Sequence, residues 1–340
     1  MESRDNLFQQ SISEKERQNI PKNLLIHFDT LHFLLASFEK KDREKISLQE
    51  VLKQAENLNT EMEEVHDRKG IHGGSMDGTS HAKFRSKDGT IWMAKDYPKE
   101  RLHRAFVDEF VASLSHKLGL STTMDVKIGT HNNVFKVFVR WEETNGSLWD
   151  DLREIGENRE DFVRALTADE LKQIATEQVL DWLVSNHDPH AGHFLRKKEG
   201  GFLCIDKAQA FKYLGDVDEH LSVDYNPNGS INGEDNVFYM PVYHFVLPEI
   251  AKGNGKISLK EIRQCIKSVV ERVEGISDEE YQNALLPYAQ FRFSVIQSHE
   301  DQKRGLNLER FMSLALQRKK DLRKSFERFY HDLEVMYSVS

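Results

Sequence analysis

The chain has 340 residues, of which 39% are hydrophobic and 10% aromatic, enough for one large core or for two lobes that share a cleft. Its net charge is −9, and its lysines and arginines are spread along the sequence, so no basic face is available for nucleic acid. Cys204 and Cys265 lie far apart, which predicts free thiols in a reducing cytoplasm rather than a disulfide framework.

The sequence contains no long apolar run. A transmembrane helix needs roughly 18 or more consecutive apolar residues, and a secretory signal needs an apolar region near its start. Neither pattern is present, so we expect no transmembrane segment and a cytoplasmic location. A bacterial effector exported by a specialised secretion system would also fit these features.

The first part of the chain has helical patterns. Apolar residues recur at helical spacing from 23 to 38, and a second helix with a capping box follows at Ser47 and Glu50. Between residues 70 and 97 the pattern changes to glycines and short alternating runs, with Asp88 and Gly89 as a tight turn between two strands. We therefore predict a helical extension followed by a glycine-rich strand, turn and strand.

The middle of the chain continues with alternating elements. A helix is predicted from about residue 101 to 118, ending at Gly119, and the run from 134 to 141 has the composition of a strand. Thr167 and Glu170 then form a capping box for a long amphipathic helix. That helix leads directly into a polar loop at Asn186.

The last part of the chain is predicted to be helical. Capping boxes occur at Ser258 with Glu261 and at Ser277 with Glu280, and one charged helix is predicted from about 307 to 336. The basic residues of this last helix are interleaved with acidic and aromatic ones. We therefore expect a solvated helix that packs one aromatic face, rather than a surface that binds anionic lipid.

Two carboxylates lie in consecutive loops, which would be adjacent if the chain reverses its direction between them. Asp188 lies in the polar stretch from 186 to 195, and Asp206 follows the short apolar run that starts at 202. A carboxylate such as Asp188 can accept a hydrogen bond from an attacking hydroxyl. Asp206 offers the hard oxygen ligand that Mg²⁺ prefers. The pair therefore has the residue types that phosphoryl transfer requires.

This region resembles the pattern Asn-x-Asp-x-His-x-x-Asn, followed by Ile-Asp and a Phe, of type II phosphatidylinositol kinases, HipA-type protein kinases and related bacterial kinase-like domains. The matching residues are Asn186, Asp188, His190, Ile205, Asp206 and Phe211. The resemblance implies ATP as the phosphoryl donor, Asp188 and His190 as catalytic residues, and Asp206 as a metal ligand. The last Asn of the pattern, a second metal ligand, is His193 here. Because imidazole favours softer cations than Mg²⁺, either Mg²⁺ or Mn²⁺ is a candidate cofactor.

The upstream half contains the partners that a kinase fold needs. A lysine on a strand pairs with the nucleotide phosphates, and an acid on the next helix holds that lysine. Lys95 follows an apolar strand, and we assign the acid to Glu109, with Asp108 as its competitor. Three small residues in the preceding glycine-rich stretch are expected to cover the phosphates through their backbone N–H groups, namely Gly73, Gly74 and Ser75.

By position alone, Arg140 and Trp141 are assigned to the adenine pocket. The resemblance covers residues 70 to 290. We therefore predict an α+β fold, a two-lobed protein-kinase-like (lipid-kinase-like) structure with helical N- and C-terminal extensions. The expected divisions are 1–66 for the N-terminal extension, 67–145 for the N-lobe, 146–290 for the C-lobe with the catalytic loop, and 291–340 for the C-terminal extension.

The acceptor of the phosphoryl group stays open among a protein hydroxyl, a phosphoinositide and a small polyol, because no motif encodes that choice. Three other functions are compatible with the sequence. An inverted nucleotide would give adenylyl transfer, and loss of activity would give a pseudokinase that acts as a nucleotide-binding scaffold. The histidines at 187, 190 and 193 beside Asp188 would also suit a metal-dependent hydrolase.

Overall fold

The computed structural model describes residues 61–65, 80–97, 101–132, 134–215, 220–222, 240–296 and 299–337. In this part of the chain the protein is a mixed α and β structure, with an antiparallel sheet of five strands in the order β1-β2-β3-β5-β4. These strands are β1 (Met62–Val65), β2 (Ser80–Ser86), β3 (Ile91–Asp96), β4 (Val126–His131) and β5 (Val134–Arg140).

The predicted hairpin joins β2 to β3. Gly89 adopts a φ of 84°, a left-handed conformation that glycine accepts without steric cost. The carboxylate of Asp88 accepts hydrogen bonds from the Ser86 hydroxyl at 2.5 Å and from the Thr90 backbone N–H at 3.0 Å. The turn residues therefore fix the register of the two strands, and the sequence prediction for this hairpin is confirmed.

The two faces of the five-stranded sheet pack differently. Successive side chains of a strand point to opposite faces, and paired residues share a face. Phe84, Trp92 and Phe138 belong to a separate small apolar cluster on one face. On the other face Val137 and Val139 join the main core, against helix α1 (His103–Lys117). Because Lys95 pairs with Val137, its side chain points to the face that carries α1.

A smaller antiparallel sheet follows in the order β6-β7-β8, formed by β6 (Thr144–Ser147), β7 (Phe194–Lys197) and β8 (Phe202–Cys204). The helices around it bury most of the main core. They are α2 (Leu148–Glu154), α3 (Arg159–Ala165), α4 (Ala168–Leu183), α5 (Tyr243–Ala251), α6 (Leu259–Glu274) and α7 (Asp278–Gln290).

Helix boundaries follow the caps that the sequence predicts. Thr167 and Glu170 form a reciprocal capping box at the start of α4, and Ser258 and Glu261 do the same for α6. The helix predicted from 101 to 118 is observed as α1, and Gly119 follows it with a φ of 61°. These local signals therefore set the positions of the helices that frame the site.

The C-terminal helix predicted as one element is two. After a π-helix at Phe291–Ile296 and α8 (His299–Lys303), the chain forms α9 (Leu308–Lys320) and α10 (Leu322–Tyr337), separated at Asp321. The prediction of one helix is wrong because helical spacing continues across a one-residue break and cannot reveal it. The aromatic face is buried as expected, through Phe326, Phe329 and Tyr330.

Some predicted elements fall outside the described residues, namely the two N-terminal helices and the glycine-rich stretch before residue 80. Among the helices that are described, none has both the length and the apolar character needed to cross a membrane.

Candidate active site

Three charged side chains from distant parts of the chain meet beside the five-stranded sheet. The ammonium of Lys95, on β3, lies 3.2 Å from a carboxylate oxygen of Asp206, which follows β8. It also lies 3.8 Å from the carboxylate of Asp108, on α1. All three side chains line one cavity, together with Val139 and Lys207. The fold therefore joins the predicted phosphate-binding lysine to the predicted metal-binding aspartate.

The charges in this cluster stabilise one another. Burial alone would lower the pKa of Lys95, but the nearby carboxylates of Asp206 and Asp108 raise it above its usual value. Partial burial opposes ionisation of Asp206, whose side chain is 41% exposed, yet the charge of Lys95 holds the pKa of Asp206 well below its usual value. Burial raises the pKa of Asp108 despite Lys95. Lys95 and Asp206 therefore form the stronger ion pair, consistent with their shorter distance.

The acid that reaches Lys95 from α1 is Asp108, whereas the sequence prediction gave that position to Glu109. Both side chains are buried. Asp108 also accepts a hydrogen bond from the Tyr97 hydroxyl at 3.0 Å and one from the backbone of Lys207. Helix α1 is thereby tied to the loop that carries Asp206, and we correct the assignment to Asp108.

We expect Asp108→Asn to weaken the predicted nucleotide binding more than Glu109→Gln, because Asp108 is the acid that contacts Lys95 and the backbone of Lys207. Both substitutions remove one carboxylate from neighbouring buried positions, so each is the other's control. The comparison is made by measuring nucleotide binding and turnover for the two variants, with the urea midpoint of each. Equal activity of Asp108→Asn and the unaltered protein, with Glu109→Gln inactive, would restore the original assignment.

Asp188 lies in a loop whose conformation is fixed by backbone and side-chain hydrogen bonds. The loop begins after α4 with Ser185 in a left-handed conformation, φ 50°. Asn186 donates its side-chain amide to Asp181 at 2.7 Å and accepts the Asp188 backbone N–H at 3.4 Å. The loop ends where the N–H of Ile205 donates to the carbonyl of His193 at 2.9 Å. The two predicted carboxylate loops are therefore joined directly.

Two of the three histidines in this loop, His190 and His193, have hydrogen bonds that imply opposite tautomers. His193 Nδ1 lies 2.6 Å from the Asp188 carbonyl oxygen, which can only accept, so Nδ1 carries the proton and Nε2 is a free acceptor. His190 Nδ1 instead accepts the Gly192 N–H at 3.1 Å, so its proton is on Nε2. The ring centroids lie 3.7 Å apart with their planes tilted by 35°, and burial lowers the pKa of both, to about 3 for His190.

The tautomers give the two imidazoles different chemical abilities. His193 Nε2 has a lone pair and lies 3.8 Å from the other carboxylate oxygen of Asp206, so the two could bind one cation between them. His190 offers an N–H donor. One ligand atom each from Asp188, His190 and His193 lies within 4.8 Å of the others. In the tautomer that the Gly192 hydrogen bond implies, however, the lone pair of His190 is already used and its other ring nitrogen carries the proton.

A buried charge network lies next to Asp206, and the sequence analysis did not predict it. Lys207, next to Asp206, lies 2.6 Å from the carboxylate of Glu177 and 2.7 Å from that of Asp181, both on α4. Asp181 also accepts a hydrogen bond from the Tyr243 hydroxyl. Burial lowers the pKa of Lys207, but the two carboxylates raise it far above its usual value. One carboxylate, Asp181, therefore supports both the 185–193 loop and the Asp206 loop.

The remaining predicted residues are not brought into this cavity. Arg140 donates to Asp125 at 3.0 Å, and Lys83 lies 4.5 Å above the Trp141 ring. Of that stretch it is Val139 that lines the cavity, and the side chains of Arg140 and Trp141 do not, so their assignment to an adenine pocket stays a prediction. Neighbours in a strand point to opposite faces, so Val139 and Arg140 could not both face it. The predicted phosphate-covering residues lie outside the described part of the chain, namely Gly73, Gly74 and Ser75.

No protein-family model and no curated protein matches this sequence. Among solved structures, the chain is similar to the crystal structure of a Helicobacter pylori proinflammatory kinase, CtkA, with 18% sequence identity and a TM-score of 0.39. The similarity covers 79% of this chain and 99% of that chain. The positions of the described side chains, and not this similarity, are the basis for a functional proposal.

Proposed function

We propose that the protein is an ATP-dependent phosphotransferase with a two-lobed kinase-like fold. It transfers the γ-phosphoryl group of ATP to a hydroxyl of a protein, a phosphoinositide or a small polyol, with Mg²⁺ or Mn²⁺ as cofactor. The observation that carries this proposal is the meeting of Lys95, Asp108 and Asp206 at one cavity, from three separate elements. Phosphoryl transfer needs such a lysine and a metal-binding carboxylate at the same phosphates.

The residues have distinct roles in this proposal. Lys95 binds the phosphates, and Asp108, on α1, holds the Lys95 side chain in place. Asp188 accepts the proton of the attacking hydroxyl. His190, as a neutral N–H donor, hydrogen-bonds the transferred group or the acceptor. Asp206 and His193 would hold the cation, which supplies the charge that neutralises the phosphates.

Two lobes sharing this cavity are consistent with the proposed fold. The five-stranded sheet with α1 would form the N-lobe, and the small sheet with α2 to α7 the C-lobe. Lys95 belongs to the first group, and Asp188 and Asp206 belong to the second. Adenylyl transfer and a nucleotide-binding pseudokinase would use the same cavity.

A metal-dependent hydrolase is the second candidate, because Asp188, His190 and His193 are close enough for one ion. Zinc would need a lone pair on each imidazole. The lone pair of neutral His190, on Nδ1, already accepts the Gly192 N–H. The hydrolase also leaves the Lys95 and Asp206 pair without a role, so we favour the phosphotransferase.

Metal content and nucleotide binding separate the two functions. We expect the purified protein to lack stoichiometric zinc after dialysis, and we expect Mg²⁺ or Mn²⁺ with a non-hydrolysable ATP analogue to raise its melting temperature. Asp206→Ala should abolish this shift. Asp169→Ala, which removes an exposed aspartate of α4, is the control and should leave the shift intact. Stoichiometric zinc without any nucleotide shift would refute the phosphotransferase and support the hydrolase.

His193→Asn should move the metal preference from Mn²⁺ toward Mg²⁺, because an amide oxygen is a harder ligand than an imidazole nitrogen. The measurement is the ratio of activities with the two ions. His193→Ala, which offers no ligand atom, is the control for loss of packing. If neither variant changes the ratio, His193 does not bind the cation.

A further inference from the structure

The segment Phe211 to Gly215 follows the proposed metal ligand Asp206 by a few residues. The backbone is strained at both ends of the stretch that connects Asp206 to this segment. Asp206 has a φ of 59° and Phe211 a φ of 61°, both in the left-handed region, which is unfavourable for residues other than glycine. Two short turns lie between them, with the N–H of Ala210 donating to Lys207 at 2.9 Å. Such a conformation persists only where the surroundings hold it.

The holding contacts come from the C-terminal extension, residues 291 to 337. Arg304 donates from one nitrogen to the Lys212 carbonyl at 2.6 Å and from the other to the Leu214 carbonyl at 3.1 Å. Arg292, in the π-helix, donates to the Phe211 carbonyl at 3.2 Å. Two guanidinium groups therefore bind three backbone carbonyls of one five-residue segment, with charge-assisted hydrogen bonds.

Other residues of the extension hold Arg292 in place and pack against the Phe211 ring. Arg292 is itself fixed by a bidentate pair with Asp301 at 2.8 and 2.6 Å. The Phe211 ring packs edge-on against Phe311 of α9, with centroids 5.3 Å apart. At the far end of the segment, Gly215 has a φ of 75°, which favours glycine, and Leu314 of α9 packs where a side chain at this position would lie.

We propose that the C-terminal extension positions the active site, and that Arg304 is its main positioning residue. By holding the segment from Phe211 to Gly215, Arg304 keeps Asp206 at the place where it faces His193 and Lys95. Lys207 anchors the same loop from the side of α4, and the extension supplies a further anchor. The functional part of this inference rests on the proposed role of Asp206, whereas the structural part does not.

The experiment compares Arg304→Gln with Arg310→Gln. Arg310 belongs to the same extension, but its guanidinium contacts Gly305 of the extension itself. The first measurement is hydrogen exchange of the backbone amides between 206 and 215, including that of Phe211, which donates to Val184 at 2.8 Å. We expect Arg304→Gln to accelerate their exchange by about ten-fold or more, and Arg310→Gln to leave it unchanged.

The second measurement is the dissociation constant of Mn²⁺ in the presence of a non-hydrolysable ATP analogue. Arg304→Gln should weaken Mn²⁺ binding by about ten-fold. Arg304→Lys, which keeps the charge but can reach fewer carbonyls, should give an intermediate exchange rate and an intermediate Mn²⁺ affinity. This graded rescue would not result from a general loss of stability, which the urea midpoints of all variants monitor.

The outcomes distinguish this inference from the proposed function. Unchanged exchange between 206 and 215 in folded Arg304→Gln would overturn the anchoring role. Faster exchange with unchanged Mn²⁺ affinity would overturn the link from Arg304 to Asp206. If the unaltered protein binds no Mn²⁺ with nucleotide, the proposed function fails, and the exchange data alone then decide the structural part.

Discussion

Asp188→Asn is expected to lower phosphoryl transfer by roughly 10²- to 10⁴-fold, the usual contribution of a general base. The amide has the same shape but cannot take the hydroxyl proton. The backbone carbonyl of Asp188, which binds His193, is retained in the variant. Nucleotide binding and the urea midpoint should therefore stay unchanged while turnover falls.

The measurement is the initial rate of transfer or release of the γ-phosphoryl group at saturating nucleotide. Asp169→Asn serves as the matched control because Asp169 is exposed on α4 and pairs with Lys172 at its surface. Retained full activity in Asp188→Asn would remove Asp188 from the catalytic role.

Lys207→Met should lower the free energy of unfolding by about 3–5 kcal/mol, the range for breaking a buried ion pair by removing one partner. The substitution leaves Glu177 and Asp181 as buried carboxylates, with side chains only 1% and 2% exposed. Urea unfolding with a fixed m-value measures the change. Adding Asp181→Asn to Lys207→Met should restore part of the loss, because one unpaired charge disappears.

Lys198→Met is the control for this prediction. Lys198 pairs with Glu143 at the surface, with side chains 56% and 72% exposed. Such a pair contributes at most about 1 kcal/mol. If Lys207→Met costs no more than Lys198→Met, the buried network does not stabilise the Asp206 loop.

The sequence predicted elements with strong local signals. The hairpin at Asp88 and Gly89 and the capped helix after Thr167 depend on residues that are neighbours in the chain. Their hydrogen bonds join residues no more than three positions apart in the sequence. Lys95 and Asp206 are 111 positions apart, so the prediction that they lie at one site required the motif resemblance as well as the order of the elements.

The sequence pattern could not decide whether Asp108 or Glu109 is the acid that contacts Lys95. Helix α1 is buried around most of its circumference, through residues such as Phe106, Val107 and Phe110. With apolar residues on nearly all sides, the spacing does not tell which of two adjacent acids faces the sheet. Only the packing against β4 and the Asp206 loop resolves it.

The network around Lys207 did have a signal in the sequence. Glu177 and Asp181 are four residues apart on the apolar face of α4, where unpaired charges are costly. A buried cation was therefore to be expected. The contacts of Arg292 and Arg304 with the segment Phe211 to Gly215 had no such signal, because their partners there are backbone carbonyls, which every residue offers.

The central claim is that this cavity transfers a phosphoryl group from ATP, and isotopic labelling tests it most directly. The purified protein is incubated with Mg²⁺ or Mn²⁺ and either γ-labelled or α-labelled ATP, alongside Lys95→Met, and an acceptor panel of protein, phosphoinositide and polyol. We predict that the γ label moves to an acceptor, that the α label does not, and that Lys95→Met moves neither. Transfer of the α label would instead demonstrate adenylyl transfer, and equal γ transfer by Lys95→Met would contradict the proposed site.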